Sequence, residues 1–306
     1  MVAYLFAGQG SQYVGMGKDL YEAFPASKRI FDKADQVLGF SLSRLCFEGP
    51  KEELARTNNS QPAILTMSIA ALEAYRSVSG VKPSDVGFTA GLSLGEYSAL
   101  VASGAMSFED TVYLVMRRGE FMEEEALKKP GKMLSLIGLD LAAVKQICLQ
   151  ARAEIANINC PGQTVISGGI KEIEAAQTLA KAAQAKMVVQ LEVSGAFHSS
   201  FMQGASLKLE KELSKINISS PRIPVVSNVT ARVVVSPQEI KDNLVKQVAS
   251  SVLWEDSMKF LLAQGVTNFL EFGPGKVLRG LMRRINPEAQ VANIEKKGDI
   301  CDLKTK

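Results

Sequence analysis

Residues 89–100 read TAGLSLGEYSAL, and the fold hangs on what the middle of that stretch is doing. Ser93 stands between Gly91 and Gly95 in a G-x-S-x-G pentapeptide. The pentapeptide alone is a weak signal, since about one chain in ten of this length carries one by chance at average glycine and serine usage. Its surroundings say more. Before it, DVGFTAG is a short apolar run closed by glycine, as a buried strand is. After it, LGEYSALVASG has a helical pattern and places Gly104 at the usual C-terminal stop. In a strand, tight turn and helix of this order, a serine hydroxyl stands proud on a strained turn. The helix N-terminus behind it offers free N–H groups to a developing oxyanion, and that of Leu94 is placed to be one of them. The bland alternative is a turn serine without chemistry.

Upstream, VAYLFAG (2–8) is another buried strand running into the glycine-rich loop GQGSQYVGMG. A helical stretch interrupted near Pro25 follows, then a long buried helix over 61–78. Downstream, residues 107 to 127 form a helix opened by Ser107-x-x-Asp110, a capping pattern. The character then changes. Strand 132–139, a helix, strands AEIANI and GQTVISGG, a second helix and strand KMVVQLEV give βαββαβ in about 60 residues, the ferredoxin-like order. It interrupts a larger α/β unit that resumes with RIPVVSNV, two helices, VTNFLEFG and the helix KVLRGLMRRI. The small unit is therefore expected as an insertion.

Composition narrows the function classes. The 306 residues carry 35 Lys and Arg against 32 Asp and Glu, a net charge of +3, too weak to argue for nucleic acid. The apolar share of 46% suits a large core, and no apolar run approaches the roughly 18 residues of a membrane span. The N-terminus lacks the charged segment of a signal peptide. Four scattered cysteines, Cys46, Cys148, Cys160 and Cys301, read as free thiols of a cytoplasmic protein. With one histidine and no ligand cluster, neither a metal nor a cofactor is expected. A monomer is the default.

Two further residues could carry chemistry. A serine nucleophile needs a base, and His198, in EVSGAFHSSFM, is the chain's single histidine. Arg118 has Leu114, Val115, Phe121 and Met122 as its helix neighbours, all apolar, whereas Arg117 neighbours Glu120. An arginine within an apolar stripe needs a partner. That partner is either a carboxylate of the protein, in a buried ion pair, or the carboxylate of a substrate held by the guanidinium fork.

Nine motifs, in order, carry a resemblance: FAGQGSQYVGMG, NNSQPAIL, GLSLGEYSAL, MRRGEFM, NCPGQTVISGG, GAFHSSFM, PVVSNVTA, LVKQVASSVLW and EFGPGKVLRGL. Over about residues 2 to 290 the chain resembles the malonyl-CoA:acyl-carrier-protein transacylases of bacterial fatty acid synthesis, whose fold also serves as acyltransferase domains of polyketide synthases. The resemblance implies an α/β-hydrolase-like large domain (1–128 and 194–290), a ferredoxin-like small domain (129–193) and a C-terminal surface tail (291–306). It implies that Ser93 carries the acyl group, that His198 is base and then acid, and that the Gln247 carbonyl orients His198. The N–H groups of Gln9 and Leu94 would form the oxyanion hole, and Arg118 would grip the malonyl carboxylate. Asn159 and Gln163 would line the cleft, and Phe197 would exclude an α-methyl group. The implied partners are malonyl-CoA and an acyl carrier protein. The alternative is a discrete acyltransferase or acyl hydrolase of a polyketide pathway on the same fold. Two positions depart from the family's usual pattern: Ala7 replaces proline and Leu92 replaces histidine. Leu92 ends a buried strand, so its side chain is expected to point away from that of Ser93 and to pack.

Overall fold

The computed structural model describes residues 1–302. Its strands are β1 (Val2–Phe6), β2 (Phe88–Gly91), β3 (Gly131–Ile137), β4 (Glu154–Cys160), β5 (Gln163–Gly169), β6 (Met187–Gln190), β7 (Val225–Val226), β8 (Val233–Val234), β9 (Asn268–Phe272) and β10 (Gln290–Ile294). They make two sheets in a mixed α/β protein. One has the order β10-β9-β1-β2-β7-β8, the other β4-β5-β3-β6. The first is parallel except for β8 against β7; the second is antiparallel throughout.

β1 shows why the first sheet is central. Tyr4 and Phe6 point into one apolar cluster, Ala3 and Leu5 into another on the opposite face, and none of the four exceeds 1% exposure. A strand buried on both faces reads as an unbroken apolar run, as VAYLF does. From β1 the chain moves to β2 on one side, and β9 later joins on the other. Ligands of open α/β sheets sit at the carboxyl ends of strands near such a reversal. β1 leads there into Gly8 and Gln9, β2 into Ser93, and β9 into the helix Val277–Ile285. Ala7 is buried at this end, and its N–H donates to Phe272 O at 3.3 Å, a bond that proline could not make.

The second sheet keeps its helices, Leu141–Ala151 and Ile170–Ala182, on one face over Leu134, Leu136 and Ile166. Its edge strand β4 is stitched to the segment after residue 250. Val252 N–H donates to Ala156 O at 2.8 Å, and Ile158 N–H to Val252 O at 2.9 Å. The second sheet is therefore tied by backbone pairing to the segment that follows Gln247.

One expectation is corrected. The stretch from 291 is not a surface tail at its start. Residues 290–294 pair with β9 as the sheet's outer strand, and Lys297–Asp302 is helical. A single short apolar segment, QVANI, gives too little periodicity to separate an edge strand from a loop. Residues 303–306 of the expected tail lie outside the described residues.

Candidate active site

Both glycines of the pentapeptide are demanded by space. A Cβ on Gly91 would lie 2.0 Å from the Gly95 carbonyl, and one on Gly95 would lie 2.2 Å from Phe6 O. That compression lets the helix Gly95–Ala102 start directly on top of β1 and β2. Ser93, at the apex, has φ 52°, a left-handed conformation that costs a non-glycine residue on the order of 1–3 kcal/mol. The turn is held from both ends. Ser93 N–H donates to Asn228 Oδ1 at 2.6 Å, and Ser93 O accepts from Gln247 Nε2 at 3.0 Å. Asn228 Nδ2 in turn donates to Gly91 O at 2.7 Å. Buried bonds of this kind contribute about 1 kcal/mol each, enough together to offset the strain.

His198 also sits at positive φ, 56°. Its Nε2 is 2.8 Å from Ser93 Oγ and its Nδ1 is 2.8 Å from Gln247 O. A carbonyl can only accept, so the proton belongs on Nδ1 and Nε2 is left to accept from the serine hydroxyl. Burial lowers the imidazole pKa to about 4, the nearby Arg118 charge adds to the fall, and the Gln247 carbonyl pulls the other way. At neutral pH the ring is uncharged and able to take a proton.

Arg118 is 1% exposed. Its Nη1 donates to Gln61 Oε1 at 2.7 Å, and its Nη2 to Gln247 Oε1 at 3.1 Å and to Ser93 Oγ at 3.2 Å. The guanidinium carbon stands 5.4 Å from the centre of the Tyr97 ring. Burial lowers its pKa. Among the described residues no ion pair involves Arg118, whereas Arg117 is paired with Glu120. Of the two partners the sequence left open, a buried ion pair within the protein is not what the structure contains. The fork is dressed in neutral oxygens and keeps its capacity for an anion.

Ser93, His198, Gln9, Phe197, Asn159 and Gln163 all border one cavity of about 190 Å³. Met133 and Val165 of the second sheet line it too, as do the exposed Val277 and the buried Leu281. Most of the lining is apolar, and Asn159 Oδ1 has no partner among the described residues. Gln163 Oε1 accepts from Arg284 Nη1 at 2.7 Å. Among the described residues neither Gln9 N–H nor Leu94 N–H donates to a protein acceptor. Arg118 and Gln247 do not form part of the cavity wall; they stand behind Ser93. Leu92 packs beside the cluster holding Leu278 and Leu281 and borders the same cavity as Ser93.

The family model for the acyl transferase domain matches residues 3–296. The chain belongs to the acyl transferase family. This acyl transferase is 51% identical to the malonyl CoA-acyl carrier protein transacylase of Bacillus subtilis over 290 residues, 93% of the chain and 90% of that protein. The transacylase of Escherichia coli K12 is 42% identical over 287 residues, 92% of each. Among solved structures, the malonyl-transacylase in complex with a type II PKS acyl-carrier protein superposes with a TM-score of 0.96 at 37% identity, covering 100% of this chain and 99% of that one. The acyl-carrier-protein S-malonyltransferase of Bartonella henselae gives 0.96 at 39%, covering 99% and 98%. Three polar residues of the acyl transferase site escaped the sequence reading: Gln61, Glu96 and Asn228. Gln61 and Asn228 fall within NNSQPAIL and PVVSNVTA, but neutral amides carry no chemical signature at long sequence separation. Glu96 follows Ser93 by three residues, a spacing that reads as an ordinary acidic first turn.

Proposed function

We propose that this chain moves a malonyl group from malonyl-CoA to the phosphopantetheine thiol of an acyl carrier protein, with Ser93 carrying it between the two. His198 Nε2 takes the hydroxyl proton as Ser93 Oγ attacks the thioester carbonyl. The oxyanion forms against the N–H groups of Gln9 and Leu94. As the tetrahedral intermediate collapses, the C–S bond breaks and coenzyme A leaves with the proton from His198. The carrier thiol then gives its proton to His198 and attacks the malonyl ester, and Ser93 departs and regains its proton. Gln247 fixes the His198 tautomer through its main-chain carbonyl, a neutral stand-in for the carboxylate of a Ser-His-Asp triad.

The observation that carries this reading is Arg118, buried without a carboxylate and 3.2 Å from Ser93 Oγ. A malonyl group on Ser93 places a free carboxylate within reach of that fork, which exchanges its bond to Oγ for a bidentate pair. A hydrolase of simple acyl groups has no use for it. Phe197, 4% exposed at the cavity, leaves little room for an α-methyl substituent, and Asn159 and Gln163 face the arm that enters. The order β4-β5-β3-β6 with two helices on one face supports a ferredoxin-like small domain over 129–193, set into an α/β-hydrolase-like large domain of 1–128 and 194 onward that takes in β10. Free cysteines throughout the described residues are in keeping with a cytoplasmic site of action, and no helix among them is long and apolar enough to cross a membrane.

The test is a chase followed by intact-protein mass spectrometry. Enzyme loaded with malonyl-CoA and freed of it should hold its adduct in buffer and lose it on addition of holo carrier protein. Leu92→His should leave the ratio of transfer to hydrolysis within a few-fold, since Leu92 acts by packing. An adduct that water removes as fast as the carrier thiol does would make the chain an acyl hydrolase.

Carrier docking gives a second prediction. Lys276, Arg279 and Arg283 are exposed on and beside the helix Val277–Ile285, whose Val277 and Leu281 line the cavity. Carrier proteins are acidic. Reversing Arg279 and Arg283 to glutamate should raise the KM for carrier protein about five- to tenfold at low salt and leave that for malonyl-CoA unchanged. Equal KM values for wild type and variant at low ionic strength would move the docking surface elsewhere.

A further inference from the structure

We propose that Glu96 is a positioning residue for malonyl selection: its carboxylate sets which way round the Gln247 side-chain amide lies, and that amide holds Arg118 at Ser93. The inference rests on the reading of Arg118 given above and adds a residue to it that touches no substrate.

The two ends of a glutamine amide have nearly the same shape, so neighbours alone decide which end faces where. At Gln247 one side presents two acceptors. Nε2 donates to Glu96 Oε2 at 2.7 Å and to Ser93 O at 3.0 Å. The other side presents Arg118, whose Nη2 donates to Gln247 Oε1 at 3.1 Å. Rotated by half a turn, the amide would set its own N–H groups against the guanidinium and its oxygen against a carboxylate. Both contacts would repel in a site shut off from water.

Glu96 is what makes that rotation costly. It is 2% exposed, and among the described residues no cation lies within ion-pair distance of it. Its Oε2 also accepts from Asn228 N–H at 3.1 Å, the residue whose Oδ1 holds Ser93 N–H. Glu96 therefore braces both supports of the nucleophile's turn, Asn228 and Gln247. Burial pushes its carboxyl pKa up to about 7, while the bonds from Gln247 and Asn228 and the Arg118 charge favour the ionised form. Among the described residues it is the one buried carboxylate hydrogen-bonded within this network. His198 Nδ1 is already bonded to Gln247 O, so Glu96 does not take the place of a triad acid; it reaches the arginine through an amide instead.

The experiment measures loading of malonyl-CoA and of acetyl-CoA side by side. Acetyl transfer needs Ser93 and His198 but makes no demand on the guanidinium. Glu96→Gln keeps the shape and can offer N–H as readily as oxygen, freeing Gln247 to turn. Malonyl loading should fall roughly ten- to hundredfold in kcat/KM, the worth of a hydrogen bond to a charged group, with acetyl loading within a few-fold of wild type. Gln247→Met removes the amide and with it the bond to Ser93 O, so both loadings should fall, malonyl loading by a further ten- to hundredfold. In that background Glu96→Gln should add little. A Gln247→Met enzyme that keeps its malonyl preference overturns the proposal, whatever the fold of the Glu96 variant. So do equal losses for both substrates in folded Glu96→Gln, no loss for either, or additive losses in the double variant. Arg118→Ala is the control that separates the two readings. If it lowers malonyl and acetyl loading alike, the carboxylate role of Arg118 fails; if it is selective and Glu96→Gln is not, only the role of Glu96 fails.

Discussion

Ser93→Ala is expected to abolish the mass increase that malonyl-CoA produces on the intact protein, and to lower transfer to carrier protein by roughly 10³- to 10⁶-fold, the range seen when a serine nucleophile is removed from a unit that works together. The geometry concentrates the chemistry on this one oxygen. Ser93 Oγ is the single atom that touches both His198 Nε2, at 2.8 Å, and Arg118 Nη2, at 3.2 Å. The substitution should leave the fold in place. The backbone bonds of Ser93 to Asn228 and Gln247 involve its N–H and C=O, which alanine retains, and the strain at φ 52° is the same for both residues. A thermal midpoint close to wild type with no adduct is the expected pair of results. A stable malonyl adduct on the variant would put the acyl group on another residue and remove Ser93 from the mechanism.

Much of this site could be read from the residues, and the parts that could not share a cause. The elbow was legible because it is local: Gly91, Ser93 and Gly95 lie within five positions, between a strand run and a helix run of opposite periodicity. Arg118 was legible for a similar reason. Four apolar neighbours at helical spacing declare it buried, although they do not say what it meets. The answer, two glutamine oxygens and a serine hydroxyl, comes from Gln61 and Gln247, which stand 57 and 129 residues away. No period or composition encodes such a meeting. The role of the Gln247 carbonyl is more remote still from a composition signal, since any residue has one; it entered through resemblance alone. β10, QVANI, mixes polar and apolar residues without clear alternation before a charged stretch, which is why the end of the sheet was taken for a tail. Glu96 was hidden by its normality, because an acid in the first turn of a helix already has a sufficient explanation in the helix dipole.

Arg118→Ala should separate substrates rather than weaken the enzyme evenly. A malonyl carboxylate paired with a desolvated guanidinium is worth roughly 2–5 kcal/mol when one partner is truncated, which is about 30- to 5,000-fold in malonyl loading. Acetyl loading should fall far less, or rise, because an acetyl group gains nothing from the cation and the charge that is lost disfavours protonation of His198. That second effect has a direction already visible: the Arg118 charge is one of the causes that lower the His198 pKa, so its removal lets the imidazole hold a proton more easily during attack. Stability will change as well. Arg118 is among the largest fully buried side chains, and its loss leaves Gln61 Oε1 and Gln247 Oε1 without their donors. Loading must therefore be read on protein shown to be folded at the assay temperature. Arg118→Lys supplies the internal check. A lysine keeps the charge but has one donor group in place of the fork, and cannot serve Gln61, Gln247 and a carboxylate in one plane. It should fall between wild type and alanine for malonyl-CoA, with acetyl loading near that of wild type. If malonyl and acetyl loading drop together in folded Arg118→Ala, the arginine braces the two glutamines and has no part in choosing the acyl group.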